Sequence, residues 1–95
     1  GEVCYVIRNG AAEMSRITGT GCQLSALMTA FLIANPKDGL TAAAAAVCMM
    51  GLAGEIGKSN MLPGDGNATY RNRIIDAISH MTGEELEKGA DYELR

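Results

Sequence analysis

Two kinds of periodicity divide this chain of 95 residues. Near its start, residues 3–8 read Val-Cys-Tyr-Val-Ile-Arg, and these β-branched and aromatic side chains predict a strand. The pair Asn9-Gly10 follows, and both residues tolerate the positive φ of a tight hairpin turn. The return strand is expected over residues 12–17, so the chain is predicted to begin with a β-hairpin.

Helical periodicity follows the hairpin. Apolar residues recur three and four positions apart from Leu24 onward, which predicts an amphipathic helix over residues 22–34. Asn35-Pro36 should end that helix, since a residue before proline avoids the helical region. Asp38 is then expected to cap a second helix over residues 40–58.

The second half of the chain predicts two more helices. Residues 59–67 are rich in Gly and Pro and indicate a loop. A third helix is expected over residues 69–81, with Asn67 or Thr69 as its cap. Thr82 and Glu85 have the spacing of a capping box and should begin a short final helix, after which residues 89–95 are expected to be frayed or extended.

The second helix is apolar nearly all round. It contains five consecutive alanines, and Glu55 is its one interior charge, interpreted as a boundary residue or, less favoured, a buried carboxylate with a partner. The uncharged run over residues 40–54 is too short to span a bilayer and predicts a buried core helix. Such a helix needs more partners than a hairpin provides. We therefore expect either oligomerisation or, preferably, a place in a larger α/β domain.

The amino-acid composition predicts which partners and which compartment the protein has. The net charge of −3, without a basic cluster, predicts no nucleic-acid partner, and no membrane partner is expected. The three cysteines form no CxxC pair, which predicts a reducing compartment. With no signal peptide recognised, a cytoplasmic protein is expected.

Gly19-Thr20-Gly21-Cys22 carries the most chemical information. Glycines let a ligand approach the backbone, and the first turn of the following helix offers N–H groups without intrahelical partners. The segment therefore predicts a site for phosphate or another anion, and Cys22 lies where a thiolate is favoured. In the alternative interpretation the turn binds nothing, Thr20 only caps the helix, and Cys22 is an inert buried residue.

Two further motifs carry weaker signals. Gly57-Lys58-Ser59 imitates the end of a P-loop, but Leu52 stands where that motif needs glycine. We therefore interpret Gly57 as a helix breaker and Lys58 as a cation near a helix C-terminus. Asp76 and His80, four residues apart, are either a paired base or a surface contact, and no metal site is predicted.

Three blocks of the sequence together resemble the hydroxyethylthiazole kinase family: residues 17–27, residues 50–55 (Met-Gly-Leu-Ala-Gly-Glu) and residues 74–78 (Ile-Ile-Asp-Ala-Ile). The resemblance implies an α/β, ribokinase-like fold, of which residues 1–95 would be the C-terminal segment of a single domain: a β-hairpin followed by three to four helices. It also implies ATP-dependent, Mg²⁺-dependent phosphorylation of the hydroxyl of 4-methyl-5-(2-hydroxyethyl)thiazole in thiamine salvage, and a homotrimer.

The resemblance also implies roles for individual residues. Gly19, Thr20, Gly21 and Cys22 would form the anion hole, and the Gly19 backbone would line the substrate site. Cys22 would be the catalytic residue, at a position where related kinases carry Asp. Because the family's polypeptides are roughly three times longer, near the size of one α/β domain, the ligands of Mg²⁺ and of most of the nucleotide would lie elsewhere, and this segment alone would be inactive.

One departure and two alternatives accompany the resemblance. Where the family often has Gly-Pro-Gly-Ser-Phe, residues 63–70 differ, so the role of the loop from Pro63 to Tyr70 is not implied. Hydroxymethylpyrimidine or phosphomethylpyrimidine kinase shares Gly-Thr-Gly-Cys and is the nearest alternative. A non-catalytic helical interaction module is the alternative from another class.

Overall fold

The computed structural model describes residues 4–16, 20–34 and 37–94, without the side chains of residues 16–22. Its elements are, in chain order, β1 (Tyr5–Ile7), a 3₁₀ helix (Ala12–Arg16), α1 (Thr20–Ala34), α2 (Gly39–Ser59), α3 (Asn67–His80), α4 (Gly83–Gly89) and β2 (Tyr92–Leu94). The four helices of the described residues agree with the expected inventory, whereas their antiparallel strand pair is not the expected N-terminal hairpin. The described residues by themselves do not contain a ribokinase-like sheet.

The strand pair joins the two ends of the described chain. β1 pairs antiparallel with β2, with Tyr5 opposite Leu94 and Ile7 opposite Tyr92. The Arg8 guanidinium extends the pairing through an ion pair to Glu93 at 2.8 Å. The predicted return strand over residues 12–17 is therefore wrong, because residues 12–16 form the 3₁₀ helix and residue 17 lies outside the described residues.

Asn9 explains why the hairpin does not form. A two-residue hairpin turn of the expected type needs positive φ at both central residues. Gly10 has a φ of +143°, but Asn9 stays outside the positive-φ region. Its side chain instead donates to Glu55 Oε2 and to the carbonyl of Gly89, and accepts from the N–H of Asp91. The chain therefore turns toward α2 rather than back along β1.

Helix α2 is the centre of the fold. Asp38 caps it as predicted, with its Oδ1 accepting from the Thr41 N–H at 3.2 Å. The helix packs against α1, α3, α4 and β1. Its Met50 and Ala53 form the core with Tyr70 and Ile74 of α3, and Leu24 and Leu27 of α1 pack around that core.

Small residues let α2 approach its neighbours closely. A Cβ at Gly51 would lie 2.6 Å from the carbonyl oxygen of Asn9, and one at Gly54 would collide with the Met14 side chain. A Cβ at Gly57 would lie 3.2 Å from the backbone N of Ile74. The interpretation of Gly57 as a helix breaker is therefore wrong: the helix continues to Ser59, and Gly57 makes room for α3.

The caps of the last two helices differ from each other. Gly66 precedes α3 without any side-chain cap, so the expected capping by Asn67 or Thr69 is wrong, and both residues lie inside the helix. The capping box of α4 is confirmed: Thr82 Oγ1 accepts from the Glu85 N–H, and Glu85 Oε1 accepts from the Thr82 N–H. The tail after α4 is extended, since it forms β2.

The uncharged run over residues 40–54 is too short to span a bilayer, but the whole helix Gly39–Ser59 is long and apolar enough to cross a membrane by length and composition alone. Half of its apolar window is, however, buried inside the fold. That burial is what the predicted core helix requires. Three large apolar side chains near the α1–α2 connection stay exposed: Leu32, Ile33 and Leu40.

We expect Gly51→Ala to lower the free energy of unfolding by about 1–3 kcal/mol, because the new methyl group would press on the backbone of Asn9. Alanine is the better helix former, so a loss of stability can come only from this contact. The control is Gly83→Ala in α4, where a Cβ meets nothing within 4 Å. Equal denaturation midpoints for the two variants would show that the close approach at Gly51 is not required.

Candidate functional site

The first turn of α1 contains three of the four residues predicted to bind an anion. The helix begins at Thr20, two residues earlier than predicted, so Thr20, Gly21 and Cys22 form its first turn. No acidic residue lies in that turn, so no carboxylate of the turn itself counters the partial positive charge of the helix N-terminus. Gly19 and the side chains of Thr20 and Cys22 lie outside the described part of the chain.

The chain reaches this turn through residues 9–16, which we term the approach segment. The sequence predicted a strand before the glycine turn, but the segment ends in the 3₁₀ helix Ala12–Arg16 instead. The N–H of Met14 donates to the carbonyl of Ala11, and Ser15 Oγ donates to the carbonyl of Ala12. These short-range bonds hold the segment compact as it passes over α2.

Glu55 joins α2 to the beginning of the approach segment. Its Oε2 accepts from Asn9 Nδ2 at 2.8 Å and from the Gly10 N–H at 3.1 Å. Glu55 is exposed, as the favoured boundary interpretation expects, but it also has the partner that the other interpretation expected. The one carboxylate inside an apolar helix was the sequence signal for this contact, although nothing in the sequence identified Asn9 as its partner.

Lys58 makes a second bridge from α2. It lies in the last turn of the helix, as predicted for a cation near a helix C-terminus. Its Nζ lies 2.6 Å from Glu13 Oε2 in the approach segment. The Lys58 side chain is 58% exposed, so solvent screens the pair and its contribution to stability is at most about 1 kcal/mol. The main effect of the pair is to fix the position of the approach segment relative to α2.

A groove of about 300 Å³ lies between α1 and α3, beginning at the residue that follows Cys22. Most of its walls are apolar, and they comprise Gln23, Ala26, Leu27, Ile75, Ile78 and Ser79. Gln23 Oε1 is buried there without a hydrogen-bond partner in the described structure. A ligand that extends from the first turn along α1 would meet apolar surface and one unpaired acceptor.

A larger cavity, of about 470 Å³, is lined by residues of the ends of α2 and α3 and by Glu85 of α4, and its polar lining includes His80, Asp76 and Arg73. His80 Nδ1 lies 2.8 Å from the backbone carbonyl of Asp76. Of the two interpretations of this pair, the structure therefore favours a local contact over a paired base. Across the described ranges, no three His, Cys, Asp or Glu side chains are grouped to hold a metal ion.

The described cysteines differ in environment. Cys48 is buried in α2, and burial, with a smaller effect of Asp91, raises the pKa of its thiol. Cys4 is exposed before β1. A thiol that is buried and resists ionisation is a poor nucleophile, so Cys48 is a packing residue.

Both comparisons with known proteins, with family models and with curated sequences, point to the same family. The model of the hydroxyethylthiazole kinase family matches residues 1–84. The chain is 47% identical over 89 residues to hydroxyethylthiazole kinase of Clostridium acetobutylicum, covering 94% of this chain and 33% of that protein. It is 37% identical over 95 residues to hydroxyethylthiazole kinase of Zea mays, covering 100% of this chain and 33% of that protein. The chain thus spans about a third of the length of these curated relatives.

We expect a thiol-specific reagent near pH 8 to modify Cys4 at least about tenfold faster than Cys48, because Cys48 is buried and its thiolate is disfavoured. Labelling followed by peptide mass spectrometry measures both rates. Raising the pH or adding denaturant should accelerate Cys48 more than Cys4. Equal rates at pH 8 would contradict the buried position of Cys48.

Proposed function

This chain belongs to the hydroxyethylthiazole kinase family. On that premise we propose that it is part of a protein that phosphorylates the hydroxyl of 4-methyl-5-(2-hydroxyethyl)thiazole with ATP, in thiamine salvage. One observation of the structure supports the proposal: α1 begins at Thr20, so that Thr20, Gly21 and Cys22 form its first turn. Backbone N–H groups of a first turn are suited to an anion, and phosphoryl transfer needs such donors.

The proposed anion hole consists of the backbone N–H groups of Gly19, Thr20, Gly21 and Cys22. Phosphoryl transfer passes through a loose transition state with charge spread over the phosphoryl oxygens. Donors fixed in advance stabilise that charge without further reorganisation. In the same proposal the backbone of Gly19 also borders the thiazole ring.

Cys22 is proposed as the catalytic residue that receives the proton of the substrate hydroxyl. A thiol must first ionise to act as a base, and the N-terminus of a helix favours the thiolate. Since positioning and charge stabilisation dominate this kind of reaction, a strong base is not required. Cys22 is therefore expected to contribute less than the backbone donors around it.

We propose that residues 1–95 form the C-terminal segment of one ribokinase-like domain in a cytoplasmic homotrimer. The coverage of only a third of each relative supports a larger domain, and the exposed Leu32, Ile33 and Leu40 are available for further packing. Mg²⁺ neutralises phosphate charge when bound to such kinases, but the described side chains offer no group of three ligands for it. We assign no step to a metal held by these residues.

The proposed function is tested with the complete protein, supplied with ATP and either hydroxyethylthiazole or hydroxymethylpyrimidine. We expect phosphorylation of the thiazole alcohol. Cys22→Ser should retain measurable turnover, reduced by about 10- to 100-fold, whereas Cys22→Asp supplies the carboxylate base that related kinases carry and should keep most of the turnover. Gly21→Val, which adds a branched side chain to a residue of the proposed anion hole, should cost about 100- to 1,000-fold. Thr29→Ala, two helical turns further along α1, is the control and should keep full activity.

Three outcomes would contradict parts of this account. Complete loss of turnover in both Cys22 variants, with unchanged melting temperatures, would show that Cys22 is indispensable. Preferred phosphorylation of hydroxymethylpyrimidine would identify the pyrimidine kinase alternative. If neither alcohol reacted and ATP gave no thermal shift, the non-catalytic interaction module would be the better description.

A further inference from the structure

We propose that Glu55 is a positioning residue for the phosphoryl-transfer site: it holds the approach segment on α2 and so fixes where the first turn of α1 begins. The inference rests on the proposed function and adds to it a residue outside the anion hole. Glu55 lies on a different helix from Thr20–Cys22, and it acts through Asn9 and Gly10.

One face of α2 contacts the approach segment over two helical turns. The residues involved are Gly51, Gly54, Glu55 and Lys58, spaced at i, i+3, i+4 and i+7, which places them on one side of a helix. Gly51 lies against the carbonyl of Asn9, Gly54 against Met14, Glu55 against Asn9 and Gly10, and Lys58 against Glu13. The close approach and the two polar bridges together define the path of residues 9–14.

Among these contacts, the one made by Glu55 matters most, because its partner Asn9 also bonds two other elements. Asn9 uses both atoms of its amide: Nδ2 donates to Glu55 and to the Gly89 carbonyl at 2.9 Å, and Oδ1 accepts from Asp91 at 2.6 Å. The end of β1 is thereby tied at once to α2, to the end of α4 and to the start of β2. Removing the Glu55 carboxylate would take the acceptor from one N–H of Asn9 Nδ2 and from the Gly10 N–H, and would leave Nδ2 bonded to the Gly89 carbonyl alone.

The approach segment is coupled to the first turn of α1 because few residues separate the two. Only residues 17–19 separate the 3₁₀ helix from Thr20, and the four peptide steps from residue 16 to residue 20 span at most about 14 Å. The body of α1 also packs on α2, so the same helix carries both the approach segment and α1. A shift of the approach segment on α2 therefore changes how the chain enters the first turn.

Glu55 is suited to a test because it is exposed. Its truncation opens no cavity in the core, so an effect on turnover cannot be attributed to a general loss of packing. A displacement of about 1 Å between reacting groups can cost about 100-fold in rate. We therefore expect a change in kcat rather than in substrate affinity.

The activity experiment uses the complete protein with Glu55→Ala, Glu55→Gln and Glu84→Ala. Glu84 is the matched control, an exposed carboxylate whose ion pair with Lys88 stays within α4. We expect Glu55→Ala to lower kcat about tenfold or more, with KM for both substrates within about twofold. Glu55→Gln retains an oxygen acceptor for Asn9 and Gly10 and should restore most of the rate. Glu84→Ala should match the parent protein.

Hydrogen exchange of the same variants separates this inference from the proposed function. Glu55→Ala should accelerate exchange of the Gly10 amide and of the amides of residues 24–27, whose helical acceptors are the carbonyls of residues 20–23, whereas Glu84→Ala should not. Unchanged exchange at residues 24–27 would overturn the inference whatever the activity does, and so would an unchanged kcat in an active Glu55→Ala protein. An inactive parent protein would contradict the proposed function alone, because exchange still decides the role of Glu55.

Discussion

The close approach of the Asn9 backbone to α2 at Gly51 is the constraint on which the rest of this structure depends. No side chain other than hydrogen fits at Gly51, because a Cβ would lie 2.6 Å from the Asn9 carbonyl oxygen. That proximity brings the Asn9 amide within reach of Glu55 and of the end of α4. The first strand, the central helix and the last helix are thereby assembled around one asparagine.

The sequence predicted those features that depend on neighbouring residues. Asp38, Thr82 and Glu85 act as caps because a cap needs partners only three residues away. Helix periods likewise arise from local spacing, and the ends of α1 and α2 lie within two residues of their predicted positions. Local chemistry was sufficient for these elements and for the position of Cys22 in a first helical turn, whereas Thr20 and Gly21 were expected in the turn before the helix.

Features that depend on distant residues could not be predicted in the same way. Asn9-Gly10 is a strong local signal for a hairpin, but Glu55, Gly89 and Asp91 bind Asn9 from 46, 80 and 82 residues away. The true partner of β1 is β2 at the opposite end of the chain. Gly57 looked like a helix breaker because its tight contact with Ile74 becomes visible only when α3 is packed. Glu55 was noticed as an isolated charge, but its role needed the position of Asn9.

The candidate site thus combines a helix N-terminus, which neighbouring residues form, with a packing contact between residues that are distant in sequence. The first turn of α1 supplies backbone donors suited to an anion, and the face of α2 from Gly51 to Lys58 directs the chain toward that turn. Of the sequence blocks that resemble the kinase family, the described part of the first, residues 20–27, and the second, residues 50–55, therefore belong to one arrangement. Their separation in sequence concealed this connection.

A double-mutant cycle on Asn9→Ala and Glu55→Ala tests the central claim most directly. The free energies of unfolding of the two single variants, the double variant and the parent protein give the coupling between the two side chains. We predict a coupling of about 0.5–1.5 kcal/mol, the range for one hydrogen bond to a carboxylate that solvent partly screens. Additive effects, with a coupling near zero, would show that Glu55 does not hold Asn9 and would contradict the account.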